Sequence, residues 1–283
     1  EEAEEEAEEA VEAADPEPVD VEAWRSFGLH DLLMQGLRTA GFAKPTPIQA
    51  ASLPAALIGQ RDVVAAAETG SGKTLAFGLP ILQRLLDARD DEESNVLATG
   101  EAASSGRELF ALVIAPTREL AAQVASHLQA VAPPGVGIVS LVGGMSVDRQ
   151  RRLLSKRPDI VVGTPGRVWE LASDGSSPHI ASLGSLRFLV PDEVDRMVEA
   201  GHFRELHNIL HLIEQGSGSN PEIANEAHGD DAAALPASAP LKRQTFLFSA
   251  TLMLPPKARE SNAKRLTKQK PGSSGGAGAM DSV

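Results

Sequence analysis

The sequence predicts an α/β domain, a parallel sheet with helices on both faces. Three observations carry that prediction. Short apolar runs alternate with helical patterns along the chain. One run, Val63–Ala66, leads through a glycine-rich turn straight into a helical pattern. And 42% hydrophobic residues over 283 positions suffice for a sizeable core.

In order, the expected strands are Asp62–Ala66, Phe110–Ala115, Ile138–Val142, Ile160–Gly163, Leu186–Val190 and Thr245–Phe248. The expected helices are Leu29–Ala40, Pro47–Leu57, Lys73–Ala88, Arg118–Val131, Val147–Ser155, Gly166–Ala172 and Phe203–Glu214. In such a sheet ligands bind where loops collect, at the C-terminal strand ends.

Other segments break the pattern. Residues 1–22 hold 12 Asp and Glu and no Lys or Arg, which leaves 27 acidic and 26 basic residues for the rest. The net charge of −13 is therefore a property of an acidic tail expected to be disordered, and the body is nearly neutral. The folded domain is expected over residues 23–254, with surface insertions at 90–107 and 215–241. Residues 255–283 start basic and end rich in Gly and Ser, as a tail or linker does. The chain begins at Glu1 without Met, so its start is not expected to be the gene's start. Cysteine is absent, which excludes disulfides and thiolate metal sites. No apolar stretch approaches the roughly 18 to 20 residues that span a bilayer, so no membrane role is expected.

The strongest local signal is Ala67-Glu-Thr-Gly-Ser-Gly-Lys-Thr74. Gly70 and Gly72 allow backbone N–H groups to close on phosphate oxygens at a helix N-terminus. Lys73 is placed to reach the β- and γ-phosphates of a nucleotide, and Thr74 to offer its hydroxyl to Mg²⁺. A second acidic site is expected on a neighbouring strand. Leu186–Val190 leads into Pro191-Asp192-Glu193-Val194-Asp195, where Asp192 would hold the metal and Glu193 would orient or activate a water. A plain helix N-terminus with favoured acidic residues is the alternative.

Together these motifs resemble the first RecA-like domain of the DEAD-box RNA helicases. Seven of that family's motifs stand in order between Trp24 and Thr251. Gly41-Phe-Ala-Lys-Pro-Thr-Pro-Ile-Gln49 resembles the adenine-recognition motif. The resemblance implies that Gln49 bonds the base edge, that Lys44 and Thr46 belong to the nucleotide site, and that Trp24 stacks on the ring. Ala67, Thr69, Gly70, Ser71, Gly72, Lys73 and Thr74 match the family's phosphate loop, initial Ala included. RNA contacts are implied for Pro116, Thr117 and Arg118, for Gly143 and Gly144, and for Thr164, Pro165, Gly166 and Arg167. Such contacts hold the sugar–phosphate backbone without reading sequence. Asp192–Asp195 matches the motif that names the family, with Val194 where Ala is usual. Asp195, Ser249 and Thr251 are implied to couple nucleotide state to RNA binding. ATP and Mg²⁺ are the implied cofactors.

A finer resemblance joins Leu141–Ser146, Thr164–Leu171 and Arg196–Phe203 to the nucleolar DEAD-box helicases of large-ribosomal-subunit assembly. It implies a nuclear, nucleolar location and pre-ribosomal partners. His202 and Phe203 mark that kinship and are expected to be packing residues. Two departures bear on activity. Pro191 stands where the family has an apolar residue with a free N–H, and proline fits poorly in a central strand unless the strand ends there. The family's second RecA-like domain, with the arginines that complete the ATP site, is absent from this sequence, so these residues alone are not expected to make a competent helicase. The leading expectation is the ATP-binding half of an RNA helicase. The alternative is a non-catalytic ATP- and RNA-binding module, truncated or degenerate. A phosphate-loop ATPase acting on protein or DNA is disfavoured by Gln49 and its motif.

Overall fold

The computed structural model describes residues 19–99, 107–175, 177–181, 183–216 and 243–249. These all fall in one unit that ends at Ala250. Most of the acidic tail, residues 100–106 and 217–242 of the two insertions, Thr251 and the C-terminal segment lie outside the described residues.

A short 3-10 helix, Glu22–Phe27, precedes α1 (Asp31–Thr39) and α2 (Pro47–Leu57). Then come β1 (Val63–Ala66), α3 (Lys73–Thr99), β2 (Ala111–Ile114), α4 (Arg118–Val131), β3 (Ile138–Leu141) and α5 (Val147–Ser155). After them follow β4 (Ile160–Gly163), α6 (Pro165–Ser173), α7 (Pro178–Ala181), β5 (Phe188–Pro191), α8 (Val194–Glu199), α9 (Phe203–Gly216) and β6 (Gln244–Ser249). The six strands form one sheet in the order β1-β6-β5-β2-β4-β3, with every pairing parallel. Among the described residues no helix is long and apolar enough to cross a membrane.

The pleat divides the core. Ala111 and Val113 of β2, Ile160 and Val162 of β4, and Phe188 and Val190 of β5 pack with α1 to α4 on one face. Their alternates Leu112, Ile114, Val161 and Leu189 pack with α5, α6, α8 and α9 on the other. Both faces of the central strands are therefore apolar, as parallel sheets require. Phe188 stacks on Phe246 with ring centroids 5.8 Å apart, tying β5 to β6.

Two elements differ from expectation. Helix α3 runs on to Thr99, so residues 90–99 continue a helix where a loop insertion was expected. Pro191 lies inside β5, opposite Ile114 of β2. On the other side, the register with β6 stops at Leu189↔Thr245. The even residues of β5 donate toward β2, as Phe188 N–H and Asp192 N–H do to Phe110 and Ile114 carbonyls. By the alternation of a parallel ladder, the proline nitrogen faces β6, where its missing N–H ends the pairing.

Candidate functional site

Apart from the Gly41–Gln49 motif, which joins α1 to α2, the loops that carry the sequence motifs leave the C-terminal ends of these parallel strands. Strand order sorts them into two groups. Loops after β1 and β5, with the end of β6, form one group, and loops after β2, β4 and β3 the other.

In the first group the turn after β1 is built by glycine. Gly70 and Gly72 have φ of 86° and 94°, values that favour glycine. A Cβ on Gly72 would stand 2.6 Å from Gln49 Nε2, so no other residue fits there. Gln49 is buried at the start of α2, where Pro47 presets the helical φ. It accepts a hydrogen bond from Thr46 N–H at 2.8 Å and donates from Nε2 to the Gly72 carbonyl at 2.9 Å. One side chain therefore ties the Gly41–Gln49 motif to the phosphate loop. The Lys73 ammonium donates to the Ala67 carbonyl at 2.9 Å and lies 3.8 Å from Glu193 Oε1. Thr69 Oγ1 donates to the same Glu193 oxygen at 2.8 Å.

Asp192 and Glu193 are only 2% and 1% exposed. Burial pushes the Asp192 carboxyl up to about 6, against the opposing pull of Lys73. Asp192 Oδ1 has no hydrogen-bond partner. Nor has Glu193 Oε2, although the Arg196 guanidinium lies 3.1 Å away out of hydrogen-bonding geometry. Glu193 adopts φ 51° and ψ 51°, a left-handed backbone that glutamate takes at a cost. Ser249 ends β6 beside this group, and its carbonyl accepts from Ala67 N–H at 3.1 Å. Asp195 sits in the first turn of α8.

These groups open on a cavity of about 250 Å³ whose walls include Lys44, Thr46, Gln49, Thr74 and Asp192. Its lining, mostly apolar with a few converging polar groups, fits a magnesium nucleotide. Gly70 and Gly72 leave the loop free of side chains, and the unpartnered oxygen of Asp192 shares the cavity with Thr74. Among the described residues no group of three or more His, Asp or Glu side chains is placed to hold a metal alone. A dication here would need phosphate oxygens to complete its shell.

The second group lines a groove of about 700 Å³ that includes Pro116, Thr117, Arg118, Gly143, Gly144, Thr164, Gly166 and Arg167. Thr117 caps α4 by accepting from Leu120 N–H at 3.2 Å. The Arg118 guanidinium packs on the two glycines; a Cβ at Gly143 would stand 2.8 Å from its Nη2. Arg167 Nε donates to Gln150 at 2.5 Å and Nη1 to Glu170 at 2.6 Å, while its buried Nη2 has no partner.

Comparison with known proteins identifies the family. A family model described as DEAD/DEAH box helicase matches residues 46–258. The DEAD-box ATP-dependent RNA helicase 13 of Oryza sativa subsp. japonica is 46% identical over 260 residues, covering 89% of this chain and 30% of that protein. The ATP-dependent RNA helicase ddx24 of Dictyostelium discoideum is 43% identical over 220 residues, covering 69% of this chain and 23% of its own. The chain belongs to the DEAD/DEAH box helicase family. It spans about 30% of the length of the Oryza relative. Among solved structures, a DEAD box protein from Methanococcus jannaschii superposes with a TM-score of 0.60 at 26% identity, covering 86% of this chain and 53% of that one. The RNA helicase Prp28 of Chaetomium thermophilum, solved bound to ADP, gives 0.58 at 30% identity, covering 89% and 50%.

The helicase motifs thus meet in two places, but four expected binding residues line neither: Ala67 and Ser71 of the phosphate loop, Trp24 and Pro165. Trp24 is fully buried, and its indole N–H donates to the Phe42 carbonyl at 2.7 Å. It supports the motif from behind and has no face to offer a base. Phe42 lines the cavity instead. Pro165 is buried as the first residue of α6 and does not line the groove. Reading the sequence also missed Leu120, Gln123 and His127 in the cavity wall. Their i, i+3, i+7 spacing on α4 puts them on one face, which was a usable signal. In the groove it missed Gln150 as the partner of Arg167, and it took His202 for a packing residue where His202 is a lining residue.

Proposed function

We propose that this domain is the ATP-binding half of an ATP-dependent RNA helicase, coupling nucleotide binding and hydrolysis to an RNA grip. The observation that carries the proposal is adjacency. Asp192, at the end of β5, donates its N–H to Ile114, two residues before the groove residue Pro116. Nucleotide carboxylate and groove thus hang from neighbouring strands, and movement of one bears on the other.

In this reading Phe42 offers an apolar face to adenine, and the Gln49 amide selects the base edge while holding the loop. Lys73 leaves the Ala67 carbonyl to neutralise phosphate charge. Mg²⁺, held by Thr74 and Asp192, would screen the developing charge. Glu193, held by Thr69 and Lys73, orients the attacking water. Arg118, Arg167 and the Gly143–Gly144 backbone hold RNA phosphates without reading bases. Turnover at full rate requires arginines supplied from outside these residues, worth about 10³–10⁵ in comparable phosphoryl transfers. Three motif contexts, 141–146, 164–171 and 196–203, further support a nucleolar role on pre-ribosomal RNA and proteins.

One observation favours the alternative of a non-catalytic ATP- and RNA-binding module. Pro191 ends the β5–β6 pairing just before Asp192. Equilibrium titration with ATP and GTP, with and without RNA, tests the proposal. ATP is expected to bind more tightly than GTP, and RNA to bind in a salt-dependent way. Equal affinity for the two nucleotides, or no RNA binding, would overturn it. Turnover stimulated by RNA in a protein carrying both helicase domains separates the enzyme from the module.

A further inference from the structure

The groove lies beside an exposed cationic stripe that the motifs do not account for. Helix α5 leaves the Gly143–Gly144 loop after β3, the edge strand of the sheet. Its buried face serves the groove. Gln150, fully buried, donates to the Val142 carbonyl at 2.7 Å and accepts from Arg167 Nε. On a separate flank stand Arg149, Arg152 and, just past the helix end, Lys156, all exposed. Their i, i+3, i+7 spacing sets them in one row about 10 Å long.

A run of charge is usually a solvated face balanced by its neighbours. This one has a single acidic neighbour in its own helix, Asp148, four residues before Arg152. Among the described residues none of the three makes an ion pair, whereas Arg151, on the opposite flank, pairs with Asp174 at 3.2 Å. The body of the protein is near neutral, so a row of three unpaired cations is a local concentration of positive charge. It begins within a turn of the groove's own loop.

We propose that the Arg149–Arg152–Lys156 row is a second RNA track, which takes the strand where it leaves the groove over the β3 edge. This rests on the groove's being an RNA site. Continuity selects RNA over an acidic protein as the partner. The row extends from a loop that already meets the backbone, and phosphates spaced along a strand match a row of cations. Contacts of this kind raise affinity for longer RNA with no sequence preference.

The test is a length series of oligouridylates on the full chain, at several salt concentrations. The variants are the triple charge reversal R149E, R152E and K156E, and separately Arg118→Ala as a groove control. With the parent, affinity is expected to rise with length beyond what fills the groove. The triple variant should bind the shortest RNA like the parent but lose the gain with length, and its salt slope on long RNA should fall by about 2. Arg118→Ala should weaken short and long RNA alike. ATP binding should be unchanged in the triple variant, a readout that reports a folded domain. A length gain that survives the charge reversal overturns the second track while leaving the groove intact. Loss of binding to polyglutamate, with RNA unaffected, overturns it in favour of an acidic protein partner. A parent that binds no RNA at any length sinks the groove reading itself.

Discussion

The two halves of the sheet's C-terminal edge handle charge in opposite ways. Around β1, β6 and β5, Lys73, Asp192 and Glu193 are all nearly buried, with Lys73 held between Glu193 and the Ala67 carbonyl and one Asp192 oxygen left open to the cavity. Around β2, β4 and β3, Arg167 is also nearly buried and paired with Glu170, but Arg118 is exposed on a bare glycine pair, and among the described residues nothing pairs with it. Buried charge is costly but strong and directional. It suits a site that must place a phosphate and a water within a fraction of an ångström. An open arginine holds a phosphate weakly and tolerantly, which suits a strand gripped regardless of sequence. The contrast predicts that substitutions in the first half will change stability and ligand binding together, and at Arg118 binding alone.

Lys73→Ala tests the first half hardest. It removes the buried cation that faces Asp192 and Glu193, leaving only the half-exposed Arg196 beside Glu193, a loss of up to about 3–5 kcal/mol in comparable buried pairs. Denaturant melts should show that loss at neutral pH, and triphosphate binding should disappear. Glu193→Gln, which can keep its contact with Thr69, should retain triphosphate binding while losing hydrolysis in a protein with both helicase domains.

Asp192 sharpens the comparison through pH. Its carboxyl is raised from 3.8 to about 6 in the fold. Between those values the unfolded chain loses the proton first, so stability falls as pH rises from about 4 to about 6 and stays low above. Asp192→Asn removes that penalty. At pH 7 the variant should be more stable than the parent by about 2–3 kcal/mol, from 1.36 kcal/mol per pH unit. The gap should close as pH falls toward 4, while magnesium-dependent nucleotide binding is lost throughout. Melts at pH 4.5, 6 and 7.5 check the sign. A parent more stable than the variant at pH 7 would mean that Lys73 outweighs burial.

Arg118→Ala is the counterpart in the open half. RNA affinity should fall by about tenfold or less, and the salt slope by about 0.7. Stability should move within about 0.5 kcal/mol, as surface substitutions do. A large loss of stability would show that the guanidinium props up the Gly143–Gly144 loop and would erase the contrast.

What the sequence made legible follows the same physics. All six strands were readable because parallel strands buried on both faces leave short apolar runs between helices. The phosphate loop and Asp192–Glu193 were readable because close approach to phosphate demands glycine, lysine and carboxylate in a fixed local order. The failures are non-local. Trp24 carries the same aromatic signal whether it stacks on a ligand or fills a core, and only packing against Phe27 and Phe42 decides. The left-handed turn at Glu193 has no composition of its own. Residues 90–99 looked like an acidic loop, yet the helix begun at Lys73 carries through them. Helices α7 and α8, four and six residues long, are too short to show a period.

The smallest expected effect belongs to Pro191. Two accounts were open, a strand already ended or a ladder donor lost, and the geometry separates them. Pro191 is the last residue of β5, buried and still in register with Ile114 on the β2 side, so the strand ends at it and not before it. Its nitrogen faces β6, whose pairing with β1 runs on to Ser249 while its pairing with β5 stops two residues earlier than Pro191. A donor at position 191 would meet the Phe246 carbonyl. Pro191→Val supplies it, along with a β-branched side chain suited to a buried strand. One recovered hydrogen bond is worth about 1 kcal/mol, a rise in Tm of about 2–4 °C for a domain of this size. Amide exchange gives a direct check, since the N–H introduced at position 191 should be protected like its neighbours in β5. If it exchanges freely and Tm is unchanged, the proline costs the sheet nothing and the argument for a degenerate site loses its one structural support. If it is protected and Asp192 binds metal more tightly in the variant, the missing donor is felt at the carboxylate one residue on.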